Sequence, residues 1–233
     1  MQSIAIIPAR GGSKRLPRKN VLPFLGKPML LWTVEAARTS GAFERIFIST
    51  EDEEIAAIGT ENGVEVLRRP EGLAADTATC ANVCLHHLNE LENLGQSFDT
   101  LCCLYATAPL RTAEDIIATM RLLEDDGTGE ADFAFAVTEY SHSPYQALIQ
   151  DAVGYLSPLW PVLVSHQSQI LPKPVIGNGS TYAARVNAFR RHRSFYGPRL
   201  RGHTMPYARS IDIDTQEDLD IALCFAKYWG QEK

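Results

Sequence analysis

Arg10, Lys14, Arg15, Arg18 and Lys19 crowd into one loop with Gly11, Gly12 and Ser13, directly after the apolar run Ile4–Ile7. Two glycines let a main chain approach a ligand closely. Backbone N–H groups among five cations suit a polyphosphate. The loop is neither GxxxxGK[ST] nor GxGxxG. Near the other end of the chain, Asp212 and Asp214 stand two residues apart. On an extended segment that spacing turns both carboxylates to one face. Two hard oxygen donors side by side, completed by phosphates and water, are how Mg²⁺ is usually held. The same acids would also favour the start of a following helix.

Several function classes drop out on composition. The net charge of −6 over 233 residues argues against a nucleic-acid or membrane-surface partner. The N-terminus lacks a basic region leading into a long apolar core, and no run reaches membrane-spanning length, so the expected location is the cytoplasm. Five cysteines without CxxC spacing read as reduced thiols, with Cys102 and Cys103 packed in an apolar run. The six histidines form no metal-ligand pattern, and His86-His87 reads as surface.

The elements that must position these groups follow from patterning. Met29–Arg38 predicts a helix ended by Gly41, and Arg45–Ser49 a strand. Thr50 with Glu53 reads as a capping box for a second helix closed by Gly63, before a strand at Val64–Leu67. Asp76 or Thr77 would cap a long helix to about Leu94. Strands follow at Thr100–Leu104 and Ala131–Val137, around a helix capped by Thr112 and Asp115. Strands and helices alternating with short connections predict a doubly wound α/β sheet, in which ligands sit beyond the carboxyl ends of strands. From Tyr140 to about residue 176 the helical period vanishes, while Tyr145, Leu148, Tyr155 and Trp160 remain too apolar for a linker. We expect an α/β core at 1–139 and 177–233 and a strand-rich extension at 140–176 that packs on a second subunit. A helix around Val186–Arg191 and a last helix capped by Thr215 with Asp218 complete the chain.

The run Pro8-Ala9-Arg10-Gly11-Gly12-Ser13-Lys14-Arg15-Leu16-Pro17-Arg18-Lys19-Asn20 resembles the signature of the cytidylyltransferases that activate nonulosonic (sialic-type) acids as CMP-sugars. Ile211-Asp212-Ile213-Asp214-Thr215 resembles that family's metal-binding segment, and Leu67-Arg68-Arg69-Pro70 with Leu73–Cys80 resembles its cytosine- and ribose-contacting stretch. The resemblance implies a Rossmann-like nucleotide-diphospho-sugar transferase fold, a mostly parallel sheet with helices on both faces, and a homodimer built through the extension. It implies Mg²⁺ held by Asp212 and Asp214, and transfer of CMP from CTP to a nine-carbon acidic sugar with loss of pyrophosphate. Arg10, Lys19 and Asp214 take the catalytic roles. Ala9, Arg10, Gly11, Ser13, Lys14, Asn20, Arg69, Ala78, Thr79 and Cys80 bind the nucleotide, with Cys80 standing where the family usually has serine.

The acid would meet Tyr105, Gln169, Asn178 and Tyr182. Tyr105 in Leu104-Tyr105-Ala106-Thr107-Ala108-Pro109 is similar to the pseudaminic-acid branch, whereas Asn178-Gly179-Ser180-Thr181-Tyr182 is closer to the sialate and legionaminate enzymes. Pseudaminic acid is the narrow preference. The alternatives are a CMP-Kdo synthetase, disfavoured by Arg18-Lys19-Asn20 and Tyr105, and a CTP-binding module without turnover. An NAD-dependent oxidoreductase fails because the first loop is basic and lacks GxGxxG.

Overall fold

Strand β1 (Ser3–Pro8) is buried along almost its whole length, which places it inside a sheet rather than at an edge. Its side chains alternate between two cores. Ala5 and Ile7 pack with Leu30, Val34 and Ile116 on one face, while Ile4 and Ile6 pack with Cys84, Leu88 and Phe189 on the other. This computed structural model describes residues 2–75, 77–124, 131–166 and 170–228.

The chain then forms a two-residue-per-strand hairpin of β2 (Pro23–Phe24) and β3 (Lys27–Pro28), and helix α1 (Met29–Ser40). Next come β4 (Arg45–Thr50), α2 (Glu53–Glu61), β5 (Glu65–Arg68), α3 (Cys80–Asn93), β6 (Thr100–Leu104), α4 (Ala113–Arg121) and β7 (Phe133–Glu139). After a hairpin of β8 (Leu148–Gln150) and β9 (Leu156–Pro158), the long β10 (Val175–Arg185) re-enters the sheet. Helix α5 (Val186–His192), β11 (Leu200–Thr204) and α6 (Gln216–Tyr228) follow.

The seven-stranded sheet has the order β11-β7-β10-β6-β1-β4-β5. It is parallel except for β10, which runs antiparallel between β6 and β7. The topology reverses at β1, which pairs in parallel with β4 on one side and β6 on the other. A crevice must therefore open between the loops that leave β1 and β6. A third apolar cluster joins Leu16 and Phe24 to Ile211, Ile213 and Leu219, pinning the basic loop and the Asp212–Asp214 segment to the same patch of core.

Three expectations need correction. Helix α2 is capped by Asp52, whose carboxylate accepts from the Ile55 N–H, because Thr50 is still engaged in the β4–β5 ladder. Helix α3 starts at Cys80 under a Thr79 cap, and before it the Ala78 N–H donates to the Ala75 carbonyl; Asp76 lies outside the described residues. His87 is fully buried rather than on the surface, because α3 lays that side against β4. The cap formed by Thr112 and Asp115 is reciprocal as expected, and Thr215 and Asp218 form the same arrangement before α6. Among the described residues no helix is long and apolar enough to cross a membrane.

Candidate active site

At the β1/β6 reversal lies a cleft of about 240 Å³, and its wall includes Arg10, Lys19, Asn20, Arg69, Tyr105 and both Asp212 and Asp214. The loop after β1 is shaped by polar ties. Asn20 is buried and donates through Nδ2 to the Arg10 carbonyl at 2.8 Å, closing the loop on itself. Gly11 donates its N–H to Glu51 at 2.8 Å. A Cβ at position 11 would collide with the Asp52 side chain, so the close approach of loop and helix α2 demands glycine there.

The cations divide into two groups. Arg10 and Lys19 line the cleft. Arg18 does not: it turns to the start of α2 and pairs with Asp52 at 2.5 Å and with Glu54. Its backbone takes φ 58°, which costs a non-glycine residue roughly 1–2 kcal/mol and is offset by those pairs. Lys14 is exposed and is not part of the cleft wall. The expectation that all five cations surround one polyphosphate is therefore too broad, because the acidic end of α2 competes for them.

The acidic pair is carried into the cleft by the β6 loop. The Ile213 N–H donates to the Thr107 carbonyl at 2.8 Å, and the Thr107 hydroxyl donates to Asp212. Gly179, at φ 69°, packs directly beneath the Asp212 carboxylate, where a side chain would displace it. Asp214 accepts from Lys19 Nζ at 2.5 Å and from Arg15 at 2.5 Å. The two carboxyls are thereby pushed apart. Burial, with Asp214 adding to it, raises the Asp212 pKa above the ordinary carboxylate range. Burial also acts on Asp214, but its hydrogen bond and charge interaction with Lys19, helped by Arg15, win and hold it below that range. A hard divalent cation fits this donor set. It would relieve the cost of two neighbouring carboxylates, one of them poorly solvated, with all-oxygen ligation.

Ala78 and Cys80 also line the cleft. The Cys80 thiol is pushed far up, by its hydrogen bond with Cys103 first and burial second, with Tyr105 opposing, so it is an inert wall and not a nucleophile. Other expected residues lie elsewhere. Ala9 is buried behind the wall. Gly11, Ser13 and Thr79 are not part of it, and the Thr79 hydroxyl is occupied as a helix cap. Asn178 is buried away from the cleft, with its Oδ1 accepting from Ser180 and its Nδ2 donating to Ser210, so it braces the irregular turn in β10. Tyr182 sits behind Tyr105, ring centroids 5.3 Å apart. Gln169 lies outside the described residues.

The sequence reading missed Thr107, whose hydroxyl and carbonyl both hold the Asp212–Ile213 segment. It also passed over Arg111, a buried cation that donates to the Ser180 carbonyl at 2.5 Å and to Thr33 at 2.7 Å. Burial draws its pKa down to about 10. Arg111 ties α1, the β6 loop and β10 together behind the cleft. A cation four residues after Thr107 in one loop was the available signal.

Comparison with known proteins gives the family. A model of the cytidylyltransferase family matches residues 4–224. The chain is 33% identical over 223 residues to a pseudaminic acid cytidylyltransferase of Campylobacter jejuni, with 95% of each chain covered. It is 32% identical over 220 residues to an N-acylneuraminate cytidylyltransferase of Streptococcus agalactiae, covering 94% of this chain and 52% of that one. Among solved structures, a CMP:2-keto-3-deoxy-manno-octonic acid synthetase complexed with CTP superposes over 100% of both chains, with a TM-score of 0.68 at 16% identity.

Proposed function

The chain belongs to the cytidylyltransferase family, and from that membership we propose that it transfers CMP from CTP to the anomeric hydroxyl of a nonulosonic acid, releasing pyrophosphate. The observation that carries the reading is the convergence of Arg10 and Lys19 with Asp212 and Asp214 in one cleft at the sheet's reversal point. In such a reaction the sugar hydroxyl attacks the α-phosphorus while pyrophosphate leaves, and positioning with charge neutralisation does most of the work.

Arg10 and Lys19 supply positive charge to the phosphates, Lys19 being closest to the acidic pair. Its ammonium is held on Asp214 at the cleft wall, where a fixed cation would stabilise charge that grows in the transition state. Asn20 keeps the loop closed around the nucleotide, and Arg69, Ala78 and Cys80 form the wall against the nucleoside. Asp212 and Asp214 would hold Mg²⁺. Such an ion would supply charge neutralisation to the phosphates and would activate the attacking hydroxyl.

Pseudaminic acid is the favoured acid, on the strength of Tyr105 at the cleft wall and of the identity to the Campylobacter jejuni enzyme. We place its binding between Tyr105 and the 140–176 extension, which shows Leu148, Ile149, Val153, Tyr155, Leu156 and Val162 as exposed apolar side chains. That surface fits a second copy of the chain, giving a homodimer in the cytoplasm. The test is pyrophosphate release from CTP and Mg²⁺ with pseudaminic, legionaminic, N-acetylneuraminic and Kdo acids. Turnover with a nonulosonic acid supports the proposal, and turnover with Kdo alone, or with none, overturns it.

A further inference from the structure

Behind the cleft wall, a row of polar groups runs from the surface of α3 to Arg69. The Glu90 carboxylate lies 3.0 Å from His87 Nδ1. On the other side of the ring, His87 Nε2 lies 2.8 Å from the Ser49 hydroxyl. Ser49 in turn accepts the Arg69 Nε–H at 3.3 Å, and its carbonyl accepts from Arg69 Nη2 at 2.8 Å. Ser49 and His87 are fully buried, and Arg69 is nearly so. None of these contacts is needed to build a strand or a helix. Hydrophobic side chains at 49 and 87 would fill the same space more cheaply than three buried polar groups.

Burial lowers the His87 pKa and favours the neutral ring, and with a neutral ring the row has one consistent proton arrangement. A carboxylate only accepts, so the ring nitrogen facing Glu90 carries the proton of a neutral imidazole. Nε2 is then the acceptor and takes the Ser49 O–H. That leaves the Ser49 oxygen's lone pairs for the Arg69 Nε–H. We propose that Glu90, His87 and Ser49 are positioning residues that fix the Arg69 guanidinium for nucleotide binding. Through Nε and Nη2 the Ser49 hydroxyl and carbonyl set the plane of the guanidinium. Its remaining edge is presented to the cleft already ordered, so ligand binding need not meet the rotamer cost of a free arginine.

The inference rests on the cleft binding CTP, and the experiment separates the two. CTP affinity is measured by calorimetry for the wild-type chain and for Ser49→Ala, His87→Ala, Glu90→Ala and the Ser49→Ala/His87→Ala double variant, alongside kcat and KM for both substrates. Ser49→Ala and His87→Ala should each weaken CTP binding about tenfold, the scale of one hydrogen bond to a charged group. The double variant should be no weaker than either alone, and kcat and the KM for the acid should stay within about twofold of wild type. Glu90 is half-exposed, so its truncation leaves no core cavity; Glu90→Ala should weaken CTP binding about threefold, within the range of a single hydrogen bond. ¹⁵N spectra of labelled histidine should show His87 with its proton on Nδ1. Wild-type CTP affinity in the Glu90 and Ser49 variants, additive losses in the double variant, or a proton on Nε2 would overturn the positioning role. Failure of the wild-type chain to bind CTP would instead refute the functional reading.

Discussion

Asp212 and Asp214 are two residues apart and chemically alike, yet their surroundings drive them in opposite directions. Asp212 is raised by burial and Asp214 is held down chiefly by Lys19. In the metal-free chain Asp212 should therefore take up its proton before Asp214 as pH falls, read from the carboxyl ¹³C shifts of the two residues; Asp214 protonating first would contradict this. Lys19→Ala should lower kcat by about 10²-fold or more, the loss seen when one oxyanion-stabilising donor is removed, with a smaller change in CTP affinity. Equal losses in the two quantities would show that Lys19 only binds.

At the scale of elements, the cleft depends on segments being fixed from behind. Asp115, at the start of α4, is buried and accepts from Arg209 at 2.8 and 3.0 Å and from His203 at 3.2 Å. It thereby joins α4 to β11 and to the turn that leads into Asp212. Burial alone would raise its pKa, but Arg209, the Thr112 N–H and His203 outweigh that and lower it. A carboxyl with a depressed folded pKa contributes stability above its unfolded value, and that contribution is lost as pH falls through the folded one. Asp115→Ala should cost about 3 kcal/mol in denaturant titration at neutral pH, as expected for leaving a partly buried cation without its partner. The deficit should begin to shrink as pH falls below about 4, the ordinary carboxylate value, and vanish only below the lower folded value, where wild type also loses the charge.

For the whole molecule, the β8–β9 arm presents apolar surface that a second copy of the chain would cover. Val153, Tyr155 and Val162 are each more than 70% exposed, too much apolar surface in one arm to leave in water without a partner. Light scattering should give twice the chain mass of 25.8 kDa. A monomer at micromolar concentration would remove the homodimer from the proposal, and would require the acid site to be complete within one chain.

What the sequence determined by itself was local and chemical. Short apolar runs marked β1, β4 and β6, since a run of four to six such residues between turn signals suits a buried strand and is too short for a helix. The Thr112–Asp115 and Thr215–Asp218 boxes could be read because a cap needs only residues three apart. The loop signature and the Asp212/Asp214 spacing were legible because both lie within a few residues of chain. Tertiary structure decided everything that depended on competition between distant groups. Arg18 leaves the cleft for Asp52, and the Asn178 amide turns to Ser210, because partners far along the chain supply better-paired sites. His87 is buried because α3 packs that face on β4, a contact that no local pattern around the two adjacent histidines encodes. The antiparallel insertion of β10 between β6 and β7, which carries Gly179 beneath Asp212, is likewise a matter of long-range pairing and not of propensity.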